Sequence, residues 1–250
     1  MKLSIVIPVL NSHEVLRRQI LHWETIGVPD DTEIIIVDDG SDPPLQSNTK
    51  LPLTILGTND FRPWTWALAR NAGAKVAKGE FLIMVDLDHI ISGGLIDCVR
   101  GFDGDHVRFN REFAILTEDG VFTQDMDTLV GYGWPEERSA TKGLKLSPHR
   151  NQFAIRKDLF WELGGYVEDR VGLPYPQGED GVFSKKWDVR YEEGKIRDFD
   201  DLVGFDHRPT LYMFPNGKFC GDVDHNPHNL FHTLTRKTRR NPNHRQELHG

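Results

Sequence analysis

The sequence predicts an α/β fold, with a Rossmann-like half of parallel strands alternating with helices, in a single domain. Three observations predict it. Apolar runs too short for stable helices recur at Leu3 to Leu10, Glu33 to Val37 and Phe81 to Val85, and such unbroken runs suit strands covered on both faces. Segments with apolar residues near helical spacing lie between them, as crossover connections require. A chain of 250 residues is also long enough for one large domain whose core needs no disulfide staple.

Taken in order, Leu3-Ser-Ile-Val-Ile-Pro-Val-Leu10 reads as a buried strand that Pro8 terminates, because proline gives no N–H to a ladder. Asn11 and Ser12 offer helix caps. From His13, the residues Val15, Leu16, Ile20, Trp23 and Ile26 recur near helical spacing and Gly27 closes the helix. Glu33 to Val37 is a second strand ending in Asp38-Asp39, followed by Gly40-Ser41-Asp42. Leu53 to Leu56 is a third short strand. Pro63 to Ala77 reads as a helix carrying Arg70 and Asn71, and Gly79 returns the chain to the strand Phe81 to Val85, which ends in Asp86-Leu87-Asp88. The order through residue 90 is β-α-β-β-α-β.

Two acid-tipped strands in one such sheet converge on one crevice, because ligands of open α/β sheets sit at the carboxyl ends of the strands. Asp86 and Asp88 repel each other there, and oxygen ligands of this kind suit a hard divalent cation such as Mg²⁺ or Mn²⁺. For Asp38 and Asp39 the competing reading is a turn cap with Gly40.

Beyond Ile91 the chain changes character. Gly93-Gly94 leads a short helix to Arg100, His106 to Leu116 alternates as a strand, and Thr117 to Gly120 turns into Val121-Phe122. Residues 124 to 149, with Gly131, Gly133, Pro135 and Pro148, read as a long irregular segment. Asn151 to Ile155 is a short strand, and Lys157 to Leu163 a helix stopped by Gly164-Gly165. A further helix opens at Gly178-Glu179-Asp180 and runs to Trp187, its first-turn acids favoured by the helix dipole. Lys195 to Phe199 and Leu202 to His207 read as two strands, and Thr210 to Phe214 as one arm of a hairpin turning at Asn216-Gly217.

A formal net charge of −8 argues against a protein whose whole surface grips nucleic acid or an anionic membrane. Cys98 and Cys220 are the only cysteines and lack metal-ligand spacing, which suits a reducing interior. The opening apolar run is too short for a secretory leader, and no stretch approaches the ~20 apolar residues of a spanning helix. The expectation is a cytoplasmic protein with no integral membrane segment.

Four motifs in this order, Ser4-Ile-Val-Ile-Pro with Asn11, Ile36-Val-Asp-Asp-Gly-Ser41, Ala69-Arg-Asn-Ala-Gly73, and Gly79-Glu-Phe with Asp86-Leu-Asp88, resemble glycosyltransferase family 2. The resemblance is close over about the first 95 residues. It implies the GT-A fold, a mixed sheet with helices on both faces, and transfer of a sugar from a nucleotide-activated donor. Carried over by position, Pro8, Val9 and Asn11 line the nucleotide pocket and Asp39 reads the base, a uracil imide, with Asp38 beside it. Arg70 holds the nucleotide or diphosphate. Asp86 approaches the ribose or the metal, Leu87 lies between, and Asp88 ligates a Mn²⁺ or Mg²⁺ that bridges the diphosphate. Leu163-Gly-Gly-Tyr166 and Gly178-Glu179-Asp180 resemble the family's later motifs, making Asp180 the catalytic base of an inverting displacement and Glu179 a residue that orients acceptor or base. His207 resembles a downstream metal-binding histidine that would join Asp88.

On this reading residues 1–92 form a nucleotide-sugar half, 93–222 an acceptor half and 223–250 a basic tail. The donor is a nucleotide sugar, with a UDP-sugar favoured, and the acceptor is a hydroxyl of unassigned type: glycan, lipid-linked or nucleic-acid-borne. Nucleic acid enters only as an acceptor, through Arg236-Lys-Thr-Arg-Arg240 and Arg245; the other readings of that tail are a solvated end and a flap over the diphosphate. His225, His228 and His232 are spaced wrongly for a tight zinc site and suit a donor-side loop. Tyr132 and Trp134 either stack on a sugar or anchor their loop. Two rivals remain. A sugar nucleotidyltransferase wants a Gly-rich phosphate loop after the first strand, where Pro8-Val-Leu-Asn11 has no glycine. A non-catalytic binding module has no need of Asp86, Asp88 and Asp180 together.

Overall fold

A computed structural model describes residues 1–62, 65–134, 136–169, 171 and 178–215. Strand β1 (Leu3–Val9), helix α1 (His13–Ile26), β2 (Thr32–Asp38), β3 (Leu53–Gly57), α2 (Trp66–Val76) and β4 (Phe81–Met84) follow in the predicted order, and all pairings among these strands are parallel. Then come β5 (His89–Ile90), α3 (Gly93–Gly101), β6 (His106–Arg108), β7 (Asn110–Phe113), β8 (Ile115–Leu116), β9 (Phe122–Thr123), α4 (Met126–Gly131), α5 (Glu136–Lys142), β10 (Lys145–Leu146), β11 (Phe153–Arg156), α6 (Lys157–Glu162), α7 (Glu179–Glu192), α8 (Phe199–Leu202), a 3-10 turn (Phe205–His207) and β12 (Thr210–Met213).

The main sheet is mixed, in the order β3-β2-β1-β4-β11-β6, with β11 antiparallel to both its neighbours. Period-two side-chain alternation along β1 separates the core into two layers. Leu3, Ile5, Ile7 and Val9 face α1 and α3, while Val6 faces α2, α6 and α7. Helices thus cover both faces. Small residues let α2 lie close to the sheet: a Cβ on Gly73 would come within 2.4 Å of Val6 Cγ1 and 2.9 Å of Val37 Cγ2. Gly79 passes still closer to backbone, where a Cβ would lie 2.5 Å from the Ser4 nitrogen.

A second sheet, β10-β7-β12-β5, stands beside the first. Its edge strand β5 begins immediately after Asp88, so the turn at residues 85–88 passes the chain from one sheet to the other. None of the described helices is long and apolar enough to cross a membrane.

Several sequence expectations require correction. Pro8 does not end β1, which runs on to Val9. Val6 O accepts the Val85 N–H, and Pro8, two residues on, turns its missing donor the same way, past the end of β4, so no ladder bond is lost. His106 to Leu116 is not one strand: it breaks at Phe109 and Ala114 into β6, β7 and β8, each in a different sheet. The segment 124–149 contains two helices and β10. Residues 195–207 form no named strand. Asp198 instead accepts a bond from the Asp200 N–H at 3.0 Å and starts α8, and Gly204 at φ 112° turns the chain into the 3-10 segment. The strand at Thr210 exists, but it pairs with β7 and β5; the Asn216-Gly217 turn, the three histidines and the basic tail lie outside the described residues. Trp134 is buried against Phe113 with ring centroids 4.3 Å apart, and Arg18 lies over the Tyr132 ring, so both aromatics anchor their loop.

Candidate functional site

The site lies at the carboxyl ends of β1, β2 and β4. Asn11 takes φ 50°, a left-handed conformation that asparagine tolerates. It laces the first two strand ends together, its N–H donating to Ser41 Oγ at 2.9 Å and its Oδ1 accepting from the Asp42 N–H at 2.8 Å. The neighbouring acids at the tip of β2 do different things. Asp38 accepts the Ser41 and Leu45 N–H groups at 2.8 and 2.9 Å, one on each oxygen, and so shapes the loop around Gly40. Asp39 accepts the Thr65 hydroxyl at 2.7 Å, while its own N–H donates to Val9 O. Val9 is buried and Pro8 half-buried.

At the tip of β4 the partners are charged. Arg70, 0 % exposed, forms an ion pair with Asp86 through Oδ1 and lies over the rings of Trp66 and Tyr166 at 5.2 and 5.8 Å. The other Asp86 oxygen accepts from Gln152 Nε2 at 2.7 Å, and Gln152 Oε1 lies 2.9 Å from His149 Nδ1. Burial works to raise the Asp86 pKa, but Arg70 together with His89 and His149 outweighs it and the net shift is downward. For Arg70 itself burial opposes the charge, and Asp86, Tyr166 and Asp180 together overcome it. The field of Asp180, in the first turn of α7, therefore reaches the same guanidinium. Glu179 beside it is buried and Asp180 half-buried.

Asp86, Asp88 and His89 offer ligand atoms that all lie within 4.8 Å of one another. Asp88 and His89 are buried, with His89 Nδ1 2.6 Å from Asp88 Oδ1. His89 Nε2 is sealed from solvent with no hydrogen-bond partner among the described residues, a costly arrangement unless something answers it. Two carboxylates, one imidazole and an unanswered ring nitrogen fit a divalent cation of the Mn²⁺ or Mg²⁺ kind. His207 is not brought to this group. It sits exposed in the 3-10 turn, six residues before Met213, the residue that pairs with His89, and so roughly 15–20 Å of chain away. Leu87 turns its side chain into the core.

Three side chains important to this geometry escape the sequence reading. Gln19, fully buried on α1, donates Nε2 to Leu87 O at 3.1 Å and His89 O at 2.8 Å, and His22 Nε2 donates to Ile91 O at 3.2 Å. Phe214 N–H meets Asp88 O from the opposite side at 2.9 Å. The signal was present: Gln19 and His22 fall on the same stripe as Val15, Leu16 and Trp23, where a buried polar group needs a partner. Arg111 on β7 is the third. Burial pushes its guanidinium down, a shift that the charges of Asp88 and Asp86 offset only in part; it stands on the second sheet within reach of their field, with Nε and Nη2 donating to Ser147 O.

The later motifs join the earlier ones directly. Asn71 Nδ2 donates to Tyr166 O at 2.8 Å and the Tyr166 N–H returns a bond to Asn71 Oδ1 at 3.0 Å. Gly164 and Gly165 both take positive φ to make that turn.

The sequence profile of the family described as Glycosyl transferase family 2 matches residues 4–164. Among curated proteins none matches. Among solved structures, S. aureus TarS 1-349 is similar at a TM-score of 0.50 and 17 % identity over 86 % of this chain, and the same fragment in complex with UDP-GlcNAc at 0.51 and 18 % over 86 %. Full TarS is similar at 0.50 and 18 % over 87 %. The chain spans 60 %, 59 % and 37 % of those chains respectively. At this identity the likeness shows the shared GT-A arrangement of sheet and helices.

Proposed function

The chain belongs to glycosyl transferase family 2, and on that premise we propose that it transfers a sugar from a nucleotide-sugar donor, a UDP-sugar first, to a hydroxyl acceptor with inversion. The observation that supports this most is the cluster of Asp86, Asp88 and His89 just past the end of β4, with Arg70 paired to Asp86; the charge of Asp180 acts on Arg70, and those of Asp86 and Asp88 on Arg111. Residues 1–92 are the donor half and 93–222 the acceptor half of this proposal.

In the donor half, Asp39 accepts the imide N–H of a uracil, with Pro8, Val9 and Asn11 forming the wall beside it. Asp86, Asp88 and His89 would hold a Mn²⁺ or Mg²⁺, which when bound stabilises charge gathering on the diphosphate. Arg111 faces the same charge, and Arg70 keeps Asp86 ionised and oriented. In the acceptor half, Asp180 takes the proton from the acceptor hydroxyl as its oxygen bonds to the anomeric carbon. The bond from that carbon to the diphosphate breaks on the opposite face and the nucleoside diphosphate leaves. Glu179, buried at the same helix end, orients the base.

The test measures release of nucleoside diphosphate from UDP-GlcNAc, UDP-glucose and UDP-galactose with Mn²⁺, with Mg²⁺ and with EDTA. UDP-GlcNAc is first because the TarS fragment is described in complex with it. Release that needs the metal and falls at least about 10²-fold in Asp180→Asn supports the reading. Full release in Asp180→Asn, or donor binding without any release in the wild type, returns the protein to the class of binding modules.

A further inference from the structure

Beside the donor crevice lies a cavity of about 130 Å³ between β6, β11 and α7, room for about four waters at liquid density. The strand register places it. Met84 at the end of β4 pairs with Phe153, and Phe153 pairs with Arg108, so the cavity opens roughly 10 Å along the same sheet edge from Asp86. Gln152 belongs to both places, lining the cavity while donating to Asp86. The other wall is α7, where Ser184 and Asp188 line the cavity. Asp180 heads that stripe at four-residue spacing, roughly 6 Å from Ser184 along the axis.

The chemistry of the lining is specific. Phe183 and Trp187 make an aromatic floor. Arg108 stacks on Trp187 at 4.2 Å and is partly answered by Asp188 at 3.4 Å. Arg150 donates to Ser184 Oγ at 3.4 Å and makes no ion pair among the described residues. His106 and Asp198 are buried together, Nδ1 to Oδ2 at 2.9 Å. A carboxylate can only accept, so Nδ1 carries the proton and Nε2 is left as an acceptor. An unanswered guanidinium suits an oxyanion, a bare imidazole nitrogen suits a hydroxyl, and a ring floor suits the apolar face of a sugar.

We propose that this cavity anchors the acceptor, and that it takes a carboxylate or phosphate carried on a sugar. The oxyanion lies on Arg150 and Arg108, a neighbouring hydroxyl donates to His106 Nε2, and the hydroxyl to be glycosylated projects one sugar length along α7 to Asp180. This rests on the transferase reading, which the following experiment separates from it.

The full chain, with ¹⁵N-labelled histidine, is titrated by NMR with glucuronate, glucose 6-phosphate and methyl glucoside, the His106 signal being assigned by its loss in His106→Asn. Either anionic sugar is expected to shift that signal with an affinity about ten-fold above the neutral glycoside, falling as salt rises; the tighter of the two names the oxyanion. Arg150→Ala, on an exposed loop, is expected to lose that advantage and Arg150→Lys to keep most of it, with thermal melts confirming that each is folded. Equal binding of the neutral and charged sugars, an advantage that survives Arg150→Ala, or no shift with any sugar overturns the proposal. UDP with Mn²⁺ is titrated into the same wild-type sample. UDP binding without the oxyanion preference overturns the acceptor site alone, and the oxyanion preference without binding or turnover of any UDP-sugar overturns the transferase reading, leaving an oxyanion pocket that anchors no acceptor.

Discussion

The tips of β2 and β4 both carry paired acids, and they are answered differently. Asp38 and Asp39 receive backbone N–H groups and threonine hydroxyls, whereas Asp86 and Asp88 receive a buried guanidinium and an imidazole, with Arg111 opposite. Neutral donors fix where a carboxylate sits and leave its charge in place. A charged donor such as Arg70 makes the carboxylate one member of an ionic set, whose balance shifts when a ligand brings new charge. Shape is therefore stored at the β2 tip and charge at the β4 tip.

The largest expected effect comes from breaking the charged tip. Arg70→Met removes from a fully buried position the one cation that, among the described residues, forms an ion pair with Asp86. Because the Asp86 side chain is 42 % exposed and water screens part of the loss, the expected destabilisation is about 2–4 kcal/mol, read as a lower urea midpoint. A loss under about 1 kcal/mol would mean that Asp86 swings out to water and that the contrast with β2 is overstated. Next is Gln19→Leu, which strands the carbonyls of Leu87 and His89 and is expected to lose roughly 1–3 kcal/mol. If those residues hold a metal, its affinity drops about 10–100-fold as well, measurable by Mn²⁺ titration. Asp38→Asn retains one acceptor oxygen of two and is expected to cost about 1 kcal/mol by the same urea assay, with UDP affinity changing less than in Asp39→Asn. The reverse order would exchange the two roles.

The smallest effect is the pH dependence. Burial pushes the His22 imidazole below its ordinary value, against the pull of the Ile91 and Gly120 carbonyls. Below about pH 6.5 the unfolded chain then binds a proton that the folded chain refuses. The stability from His22 is therefore complete above that pH and declines as pH falls toward the folded value. His106, lowered by burial against Asp198, acts in the same direction. Asp86, held low in the folded chain, gives its stability in full above about pH 4 and loses it only as pH falls below that, so the windows do not overlap. His22→Gln, which keeps a donor for Ile91 O, is expected to flatten the change in urea midpoint between pH 7.5 and 5.5. An unchanged slope would assign that window to other groups.

The first 90 residues were legible because local pattern and tertiary role agree there: unbroken apolar runs became strands covered on both faces, and the acids at their ends fell where strand ends converge. Residues 106–116 misled because alternation alone does not say which sheet each residue joins, and this stretch changes sheets twice. Residues 202–207 misled because Leu202, Val203 and Phe205 look like strand residues yet remain exposed, the Asp198 cap having already turned the chain into α8. At the site, a resemblance led to His207 while the spatial candidate was His89, adjacent in sequence to Asp88. Arg111 carried no local signal, since its proximity to the acids arises only when β7 pairs with β12 and β12 with β5.

The place of β11 bears on how the chain reaches this state. Phe153–Arg156 lies between β4 and β6, with Ile83 paired to Ala154, so the central sheet stays open at β4 until a much later part of the chain arrives. A fragment ending near residue 92 would present Phe-Leu-Ile-Met as a bare apolar edge, a template for pairing with other copies. Closure must therefore wait on a long loop, which raises contact order and slows folding. During synthesis β1 to β4 emerge first and the strand that shields β4 only about 70 residues later, so the interval between is when the nascent chain is most open to aggregation.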